Sequence, residues 1–171
     1  PTQTPPSVIL IAADYSQIEL RVLAHLSEDE NMLTAFTNGE DIHTATASEM
    51  FKLAPSEVNA SMRRQAKALN FGVVYGLNPF GVAKQLNITI DEGNRYIESY
   101  FAKYPKVYDY LARTKLLVNE TGYVETVTGR RRYIAEINAT NAHVRQAAER
   151  MAINMPVQGT AADIIKLAMI Q

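Results

Sequence analysis

The part of this sequence with the clearest chemical content is a row of cations and aromatic rings spaced four residues apart, a pattern called a file below. In the segment RRQAKALNFGVVYG (63–76), every fourth residue belongs to the set Arg63, Lys67, Phe71 and Tyr75, so on an α-helix these side chains lie along one face. Arginine and lysine bind phosphates, and aromatic rings pack against a sugar or a base. The spacing favours a nucleoside triphosphate site, with the phosphates toward the N-terminal end of the helix. A structural alternative, with the rings in the core and the cations solvated, is equally compatible with this segment alone.

An acid follows the first apolar run of the chain. The run SVILIAAD (7–14) predicts a buried strand that ends at Asp14. Ser16 and Glu19 then have the spacing of a capping box, which predicts a helix through QIELRVLAHL. A carboxylate at the end of a strand is a suitable Mg²⁺ ligand for phosphoryl-type transfer. An aspartate in front of a helix is also a common cap, so position alone leaves a structural explanation open for Asp14 and for Glu19.

A second file lies near the C-terminal end, where Arg150, Asn154 and Gln158 are again four residues apart. We predict a helix from about 140 to 154 that is interrupted at Pro156, because proline lacks the backbone N–H that a helix interior needs. Three long polar side chains on one face could read the acceptors of a duplex minor groove, which are similar at every base pair. An exposed polar face explains the same pattern.

The remaining patterns predict the elements that must position these residues. Asp41 can cap a helix over IHTATASEMF, and the charged and aromatic segment predicts a helix at about 61–75 that ends at Gly76. Further helical patterns begin at Pro79 and cover about 91–103 and 105–120, and the runs YVETV and RRRYI predict a hairpin around Thr128-Gly129. The fold class is therefore α+β and helix-rich, with an incomplete antiparallel sheet, because the strands are too few to complete one.

Composition and charge narrow the classes of partner. The 171 residues are 47% hydrophobic, and the absence of cysteine excludes disulfides and thiolate metal sites and fits a reducing intracellular setting. No apolar run approaches the roughly 18 to 20 residues that cross a bilayer, so we expect no membrane partner. The formal net charge is −1, yet residues 1–57 carry −7 and residues 58–171 carry +6. The second part therefore favours a polyanionic partner.

Several blocks together resemble the family A DNA polymerases of the bacterial DNA polymerase I type. The blocks are DYSQIELR (14–21), DIHTATA (41–47), RRQAKALNFGVVYG (63–76), GYVETVTGRRR (122–132) and ERMAINMPVQGTAADIIK (149–166). They occur in the order of that family and cover nearly the whole chain.

The resemblance implies how the chain is organised. Residues 1–57 are expected to form part of the palm, with the first catalytic strand and the helices that follow it. Residues 58–125 are expected to form the complete fingers, including a nucleotide-binding helix at about 61–76. Residues 126–171 are expected to form a hairpin and to return to the palm with a helix that contacts the duplex. Because the chain starts at a proline and stops inside an apolar helical pattern, we expect a fragment that lacks the thumb.

The resemblance also implies roles for individual residues. Asp14, with the backbone carbonyl of Tyr15, is expected to hold two catalytic Mg²⁺ ions, and Lys67 is a candidate proton donor to the departing pyrophosphate. Glu19 is expected to act as a steric gate against a ribose 2′-hydroxyl. The expected contacts to the incoming dNTP are Gln17, Glu19, His43, Arg63, Lys67, Phe71 and Tyr75. The expected contacts to primer–template DNA are Arg150, Asn154 and Gln158.

The implied function is template-directed DNA synthesis from dNTPs on a primer, in replication or repair, by a monomer in the cytoplasm of a bacterium or a phage-infected cell. The family's second catalytic carboxylate lies in a His-Asp-Glu tripeptide, and no such tripeptide occurs here. Two-metal catalysis needs carboxylates on both sides of the ions, so we expect this chain alone to be inactive. A single-subunit RNA polymerase and a non-catalytic nucleic-acid-binding relative are the alternative readings.

Overall fold

The computed structural model describes residues 12–170, which fold into eight α-helices, two short strands and two 3₁₀ turns. The α-helices are α1 (Ile18–Ser27), α2 (Glu30–Thr37), α3 (Ile42–Phe51), α4 (Ala60–Val74), α5 (Pro79–Leu86), α6 (Ile90–Lys103), α7 (Pro105–Thr121) and α8 (Ala142–Ile170). The strands are β1 (Tyr123–Glu125) and β2 (Arg131–Tyr133), and the 3₁₀ turns are Pro55–Glu57 and Ala135–Asn138.

Helices α1, α3 and α4 meet in the larger of two hydrophobic clusters. Leu20 and Leu23 of α1, Ile42 of α3, and Leu69 and Val74 of α4 are fully or almost fully buried there. Each of the other five helices also contributes buried residues to this cluster. The side chains that could do chemistry therefore lie on helices whose opposite faces are anchored in one core, which holds their relative positions.

Helix α4 forms where the sequence predicts it. Asn59 caps its N-terminus by accepting hydrogen bonds from the backbone N–H groups of Ser61 (2.9 Å) and Met62 (3.0 Å). Gly76 follows the helix in the left-handed region, at φ 65°, which glycine adopts without steric cost. The predicted helices at 42–51, 91–103 and 105–120 are likewise confirmed to within a residue or two.

The start of α1 differs from its prediction. The predicted strand 7–14 lies mostly outside the described residues, and residues 12–14 are exposed and have no regular secondary structure. The predicted capping box is wrong: Gln17 is the N-cap, at φ 56°, and no side chain caps the helix. Because Gln17 is the N-cap, Ser16 precedes the helix and Glu19 is one position short of the capping-box spacing; its carboxylate accepts a hydrogen bond from the Tyr75 hydroxyl.

The predicted interruption at Pro156 is also wrong, because α8 runs unbroken through it. A proline inside a helix costs roughly 3 kcal/mol through its missing N–H and its ring. Here Met155, Pro156 and Val157 are all buried, and the burial of three apolar side chains offsets that cost.

The predicted hairpin is confirmed as a two-stranded antiparallel sheet in which Tyr123 lies opposite Tyr133 and Glu125 opposite Arg131. It packs on α7 and α8 through a second, smaller cluster that includes Val118, Val124 and Ala152. Within residues 12–170 the fold is thus helix-rich with one small sheet. None of the helices in this range is long and apolar enough to cross a membrane.

Candidate nucleotide and nucleic-acid site

One cleft collects most of the predicted nucleotide contacts, whereas Tyr75 and the predicted duplex contacts lie outside its walls. It has a volume of about 450 Å³ and lies between α3, α4 and the segment that enters α1. Its walls are formed by Asp14, Tyr15, Ser16, Gln17, Ile18, Glu19, His43, Arg63, Lys67 and Phe71. The predicted acid and the predicted cations, about fifty residues apart in the sequence, therefore share one solvent-open space.

Helix α4 presents its file to the cleft because its other face is buried. Ala66, Leu69 and Val73 are at most 3% exposed, which leaves the cations on the open side. The Lys67 ammonium lies 6.0 Å from the centroid of the Phe71 ring, at the outer limit of a cation–π contact. The first three members of the file thus offer two positive charges and one aromatic face.

Tyr75, the fourth member of the file, lies at the C-terminal end of α4 and connects it to α1. Its ring stacks on Phe71 with centroids 6.1 Å apart, and its hydroxyl donates to Glu19 Oε2 at 3.1 Å. Burial raises the pKa of Tyr75, the Glu19 carboxylate raises it further, and the Gln158 side chain acts in the opposite direction. Tyr75 therefore stays a neutral donor that holds the Glu19 carboxylate at the edge of the cleft.

Arg63 is oriented by Asp41, which the sequence indicated only as a helix cap. The carboxylate of Asp41 accepts from the backbone N–H of His43 at 3.1 Å, as predicted, and also from Arg63 Nε at 2.5 Å. Burial raises the pKa of Asp41, but hydrogen bonds from Arg63, Thr44 and His43 outweigh it and lower that pKa to about 2. Because Arg63 donates to Asp41 through Nε, its two terminal nitrogens can bind an anion.

His43 is only 2% exposed, although it forms part of the wall. Its Nδ1 lies 2.9 Å from the Asn70 amide nitrogen, and Asn70 Oδ1 lies 3.0 Å from the Thr46 hydroxyl. Burial lowers the pKa of His43, Asp41 opposes that shift, and Arg63 and Lys67 add to it, so that the net pKa is about 4. The imidazole is therefore neutral at physiological pH.

The loop that carries Asp14 is exposed, and a side chain of α1 anchors it through a hydrogen bond. Arg21 Nε donates to the backbone carbonyl of Ser16 at 3.1 Å, and its guanidinium lies 4.7 Å from the centroid of the Phe36 ring. Asp14 and Tyr15 are exposed at the mouth of the cleft. A free carboxylate and a backbone carbonyl are oxygen ligands of the type that Mg²⁺ prefers.

The fit of Mg²⁺ to these residues is partial. Among residues 12–170, no group of three or more acidic, histidine or cysteine side chains is arranged to hold a metal ion. Asp14 and Tyr15 fit as part of a ligand set, and the set is incomplete within the described part of the chain.

The second file lies on the unbroken α8, close to the C-terminal end of α4. Arg150 packs against Gly76, where a Cβ would come within 3.3 Å of the Arg150 Cγ. Gln158 is exposed and lies close enough to the Tyr75 hydroxyl to lower the pKa of that group. Asn154 is half-buried, and its Oδ1 has no hydrogen-bond partner in residues 12–170. The phase of the file is preserved because α8 continues through Pro156.

Comparison with known proteins shows the family to which the chain belongs. The model of DNA polymerase family A matches residues 2–171. The chain belongs to that family.

Members of family A with high identity match nearly all of the chain. DNA polymerase I of Geobacillus stearothermophilus is 53% identical over 165 residues, which cover 96% of this chain and 19% of that protein. The thermostable DNA polymerase I of Thermus thermophilus is 54% identical over 162 residues, covering 95% and 19% respectively. The chain thus spans about a fifth of the length of the curated relatives it matches.

A solved family A structure has the same fold. It is the POL domain of Pol1 from M. smegmatis, in complex with DNA primer-template and dNTP, with a TM-score of 0.88 and 48% identity. The match covers 92% of this chain and 28% of that one.

This family A chain also contains a brace that the sequence did not indicate. Asp163 on α8 accepts from the Thr128 hydroxyl at 2.6 Å and from Arg130 Nε at 2.9 Å. A Cβ on Gly159 would meet Thr126 Cγ2 at 2.6 Å, so the hairpin turn lies directly on α8. The brace was not predictable because its members have no common period and are about 30 residues apart.

Proposed function

We propose that this chain is the nucleotide-selecting part of a DNA-directed DNA polymerase, active as part of a longer protein. The observation that carries the proposal is the shared cleft, in which Asp14 faces the same space as Arg63, Lys67 and Phe71. In this proposal residues 1–57 belong to the palm, residues 58–125 form the fingers, and residues 126–171 return to the palm.

The proposed nucleotide contacts follow from the chemistry of the walls. Arg63 and Lys67 bind the triphosphate, and the neutral His43 donates to it. Phe71 packs on the sugar. Glu19, held by Tyr75 at 3.1 Å, crowds the position of a ribose 2′-hydroxyl and so favours deoxynucleotides, and Gln17 lies in the same wall.

The proposed reaction joins the primer 3′-oxygen to the α-phosphorus of the dNTP, releases the proton of the 3′-hydroxyl to water, and breaks the bond between that phosphorus and the oxygen of the departing pyrophosphate. Lys67 is the proposed donor of a proton to pyrophosphate. Asp14 and the Tyr15 carbonyl would hold Mg²⁺, with the missing carboxylate supplied from outside this chain. When bound, the two ions would neutralise phosphate charge and activate the primer hydroxyl.

The proposed duplex contacts are Arg150, Asn154 and Gln158, in the minor groove of primer–template DNA. Their support is the unbroken α8, which keeps them on one face, and the position of Gln158 next to Tyr75. The duplex would then end where the nucleotide cleft begins. The proposed setting is the cytoplasm, where dNTPs are available, and the proposed form is a monomer.

The test is made in the full-length polymerase that contains this segment. Asp14→Ala is expected to lower single-nucleotide incorporation roughly 100-fold or more, because it removes preorganised charge from the reacting centre, while DNA affinity stays within a few-fold. The matched control is Asp109→Ala, which removes an exposed carboxylate from α7. Incorporation by Asp14→Ala at a rate near that of the control would exclude Asp14 from the reaction.

A further inference from the structure

We propose that Asn70 and Thr46 are positioning residues that fix the tautomer of His43, so that the imidazole presents an N–H group to the nucleotide. This inference rests on the proposed function. None of the family resemblances used above assigns a role to Asn70 or to Thr46.

The three side chains form a buried relay between α3 and α4. Asn70 is 0% exposed, Thr46 is 1% exposed and His43 is 2% exposed. The Thr46 hydroxyl lies 3.0 Å from Asn70 Oδ1, and the Asn70 amide nitrogen lies 2.9 Å from His43 Nδ1. The Thr46 hydroxyl also lies 2.9 Å from the backbone carbonyl of Ile42, so the Asn70 amide holds His43 more directly than Thr46 holds Asn70.

The direction of these hydrogen bonds determines which ring nitrogen carries the proton. The Asn70 amide is oriented with its nitrogen toward His43 Nδ1, and an amide nitrogen can only donate, so Nδ1 accepts. The opposite orientation of the amide would place a proton on Nδ1 instead. The single proton of the Thr46 hydroxyl is shared between Asn70 Oδ1 at 3.0 Å and the Ile42 carbonyl at 2.9 Å. A neutral imidazole that accepts at Nδ1 carries its single proton at Nε2. The relay therefore specifies the Nε2–H tautomer.

The Nε2 atom of His43 has no hydrogen-bond partner among residues 12–170, and it is not fully buried. His43 forms part of the cleft wall together with Arg63 and Lys67. A triphosphate offers only acceptor oxygens, so a neutral histidine can bind it only through an N–H group, which is the state that Asn70 enforces.

The test combines kinetics and spectroscopy in the full-length polymerase. Asn70→Leu is nearly isosteric and removes the donor; it is expected to raise the KM for dNTP about tenfold, the scale of one lost hydrogen bond to a charged ligand, with little change in kcat. Thr46→Val removes the other end of the relay and is expected to act in the same direction and more weakly. The control is Asn94→Leu, at an exposed position of α6, with KM unchanged.

A double-mutant cycle separates positioning from a general structural role. If Asn70 acts through His43, adding Asn70→Leu to His43→Ala raises KM no further than His43→Ala alone. An additive effect overturns the inference. If His43→Ala itself leaves KM unchanged, the nucleotide-binding role of His43 fails, and this inference fails with it.

The tautomer can be measured directly, and that measurement does not depend on activity. In the polymerase labelled with ¹⁵N-histidine, the resonances lost in His43→Ala belong to this ring. They are expected to report a protonated Nε2 and an unprotonated Nδ1, and to change in Asn70→Leu. A protonated Nδ1 in the unsubstituted protein overturns the inference even if the kinetics agree.

Discussion

Protonation of His43 tests the described packing of α3 on α4. The side chain is 2% exposed, and its Nδ1 is already used as an acceptor. A second proton on the ring would introduce a buried cation beside Arg63 and Lys67, relieved only in part by Asp41. Acidification is therefore expected to weaken this interface before most carboxylates titrate.

The magnitude follows from the shift in pKa. Burial lowers the pKa of His43 from 6.5 to about 4, so between these values the unfolded chain binds a proton that the folded chain does not. Stability is then fully present above pH 6.5 and is lost as the pH falls toward 4. Linkage gives a loss of about 2 kcal/mol at pH 5 relative to pH 7. Asp41, whose pKa falls to about 2, contributes little in that window.

The assay is urea unfolding of the polymerase at pH 7 and pH 5, with hydrogen exchange of α3 and α4 as a local measure. His43→Gln, which cannot titrate, is expected to destabilise the protein at pH 7 but to reduce the pH-dependent loss by about 2 kcal/mol. The matched control is His143→Gln, at an exposed position at the start of α8, which is expected to retain the full loss.

The reasoning would be refuted by one result. If His43→Gln and the unsubstituted protein lose equal stability between pH 7 and pH 5, His43 is not a buried neutral group. The relay through Asn70 would then lose its structural basis as well.

Three further substitutions test other contacts in the polymerase. Tyr75→Phe removes the hydroxyl that donates to Glu19 at 3.1 Å. It is expected to lower the preference for dNTP over rNTP about fivefold, the scale of one partly exposed hydrogen bond. Unchanged selectivity would show that the position of Glu19 does not affect discrimination at the sugar. Phe71→Tyr is expected to ease dideoxynucleotide incorporation, measured by chain termination, because its hydroxyl supplies a polar group that the dideoxy sugar lacks. Gly159→Ala places a Cβ 2.6 Å from Thr126 Cγ2 and is expected to lower the unfolding free energy by about 1 to 3 kcal/mol. Adding Thr126→Ser, which removes that methyl group, is expected to restore the lost stability.

The local pattern of the sequence was sufficient to predict the face of α4 that carries the cations and aromatic rings. Residues four apart lie on one side of any helix, so the alignment of Arg63, Lys67 and Phe71 depends only on the helix forming. The Asn59 cap, the Gly76 stop and the buried opposite face are also encoded within a few residues. The roles suggested for these side chains came from a resemblance between motifs, and they stay predictions.

Tertiary structure decided which side chains meet. Glu19 had a complete local explanation as a capping partner, but Tyr75, 56 residues away, donates to it instead. Pro156 had a local reason to break α8, but burial on both sides of it keeps the helix intact. Asn70 carried no signal at all, because its importance comes from facing His43 in the interface between two helices. Periodicity is a property of one segment, whereas partners for buried polar groups are chosen only when whole faces pack together, and the energy of that packing exceeds the preference of any single residue.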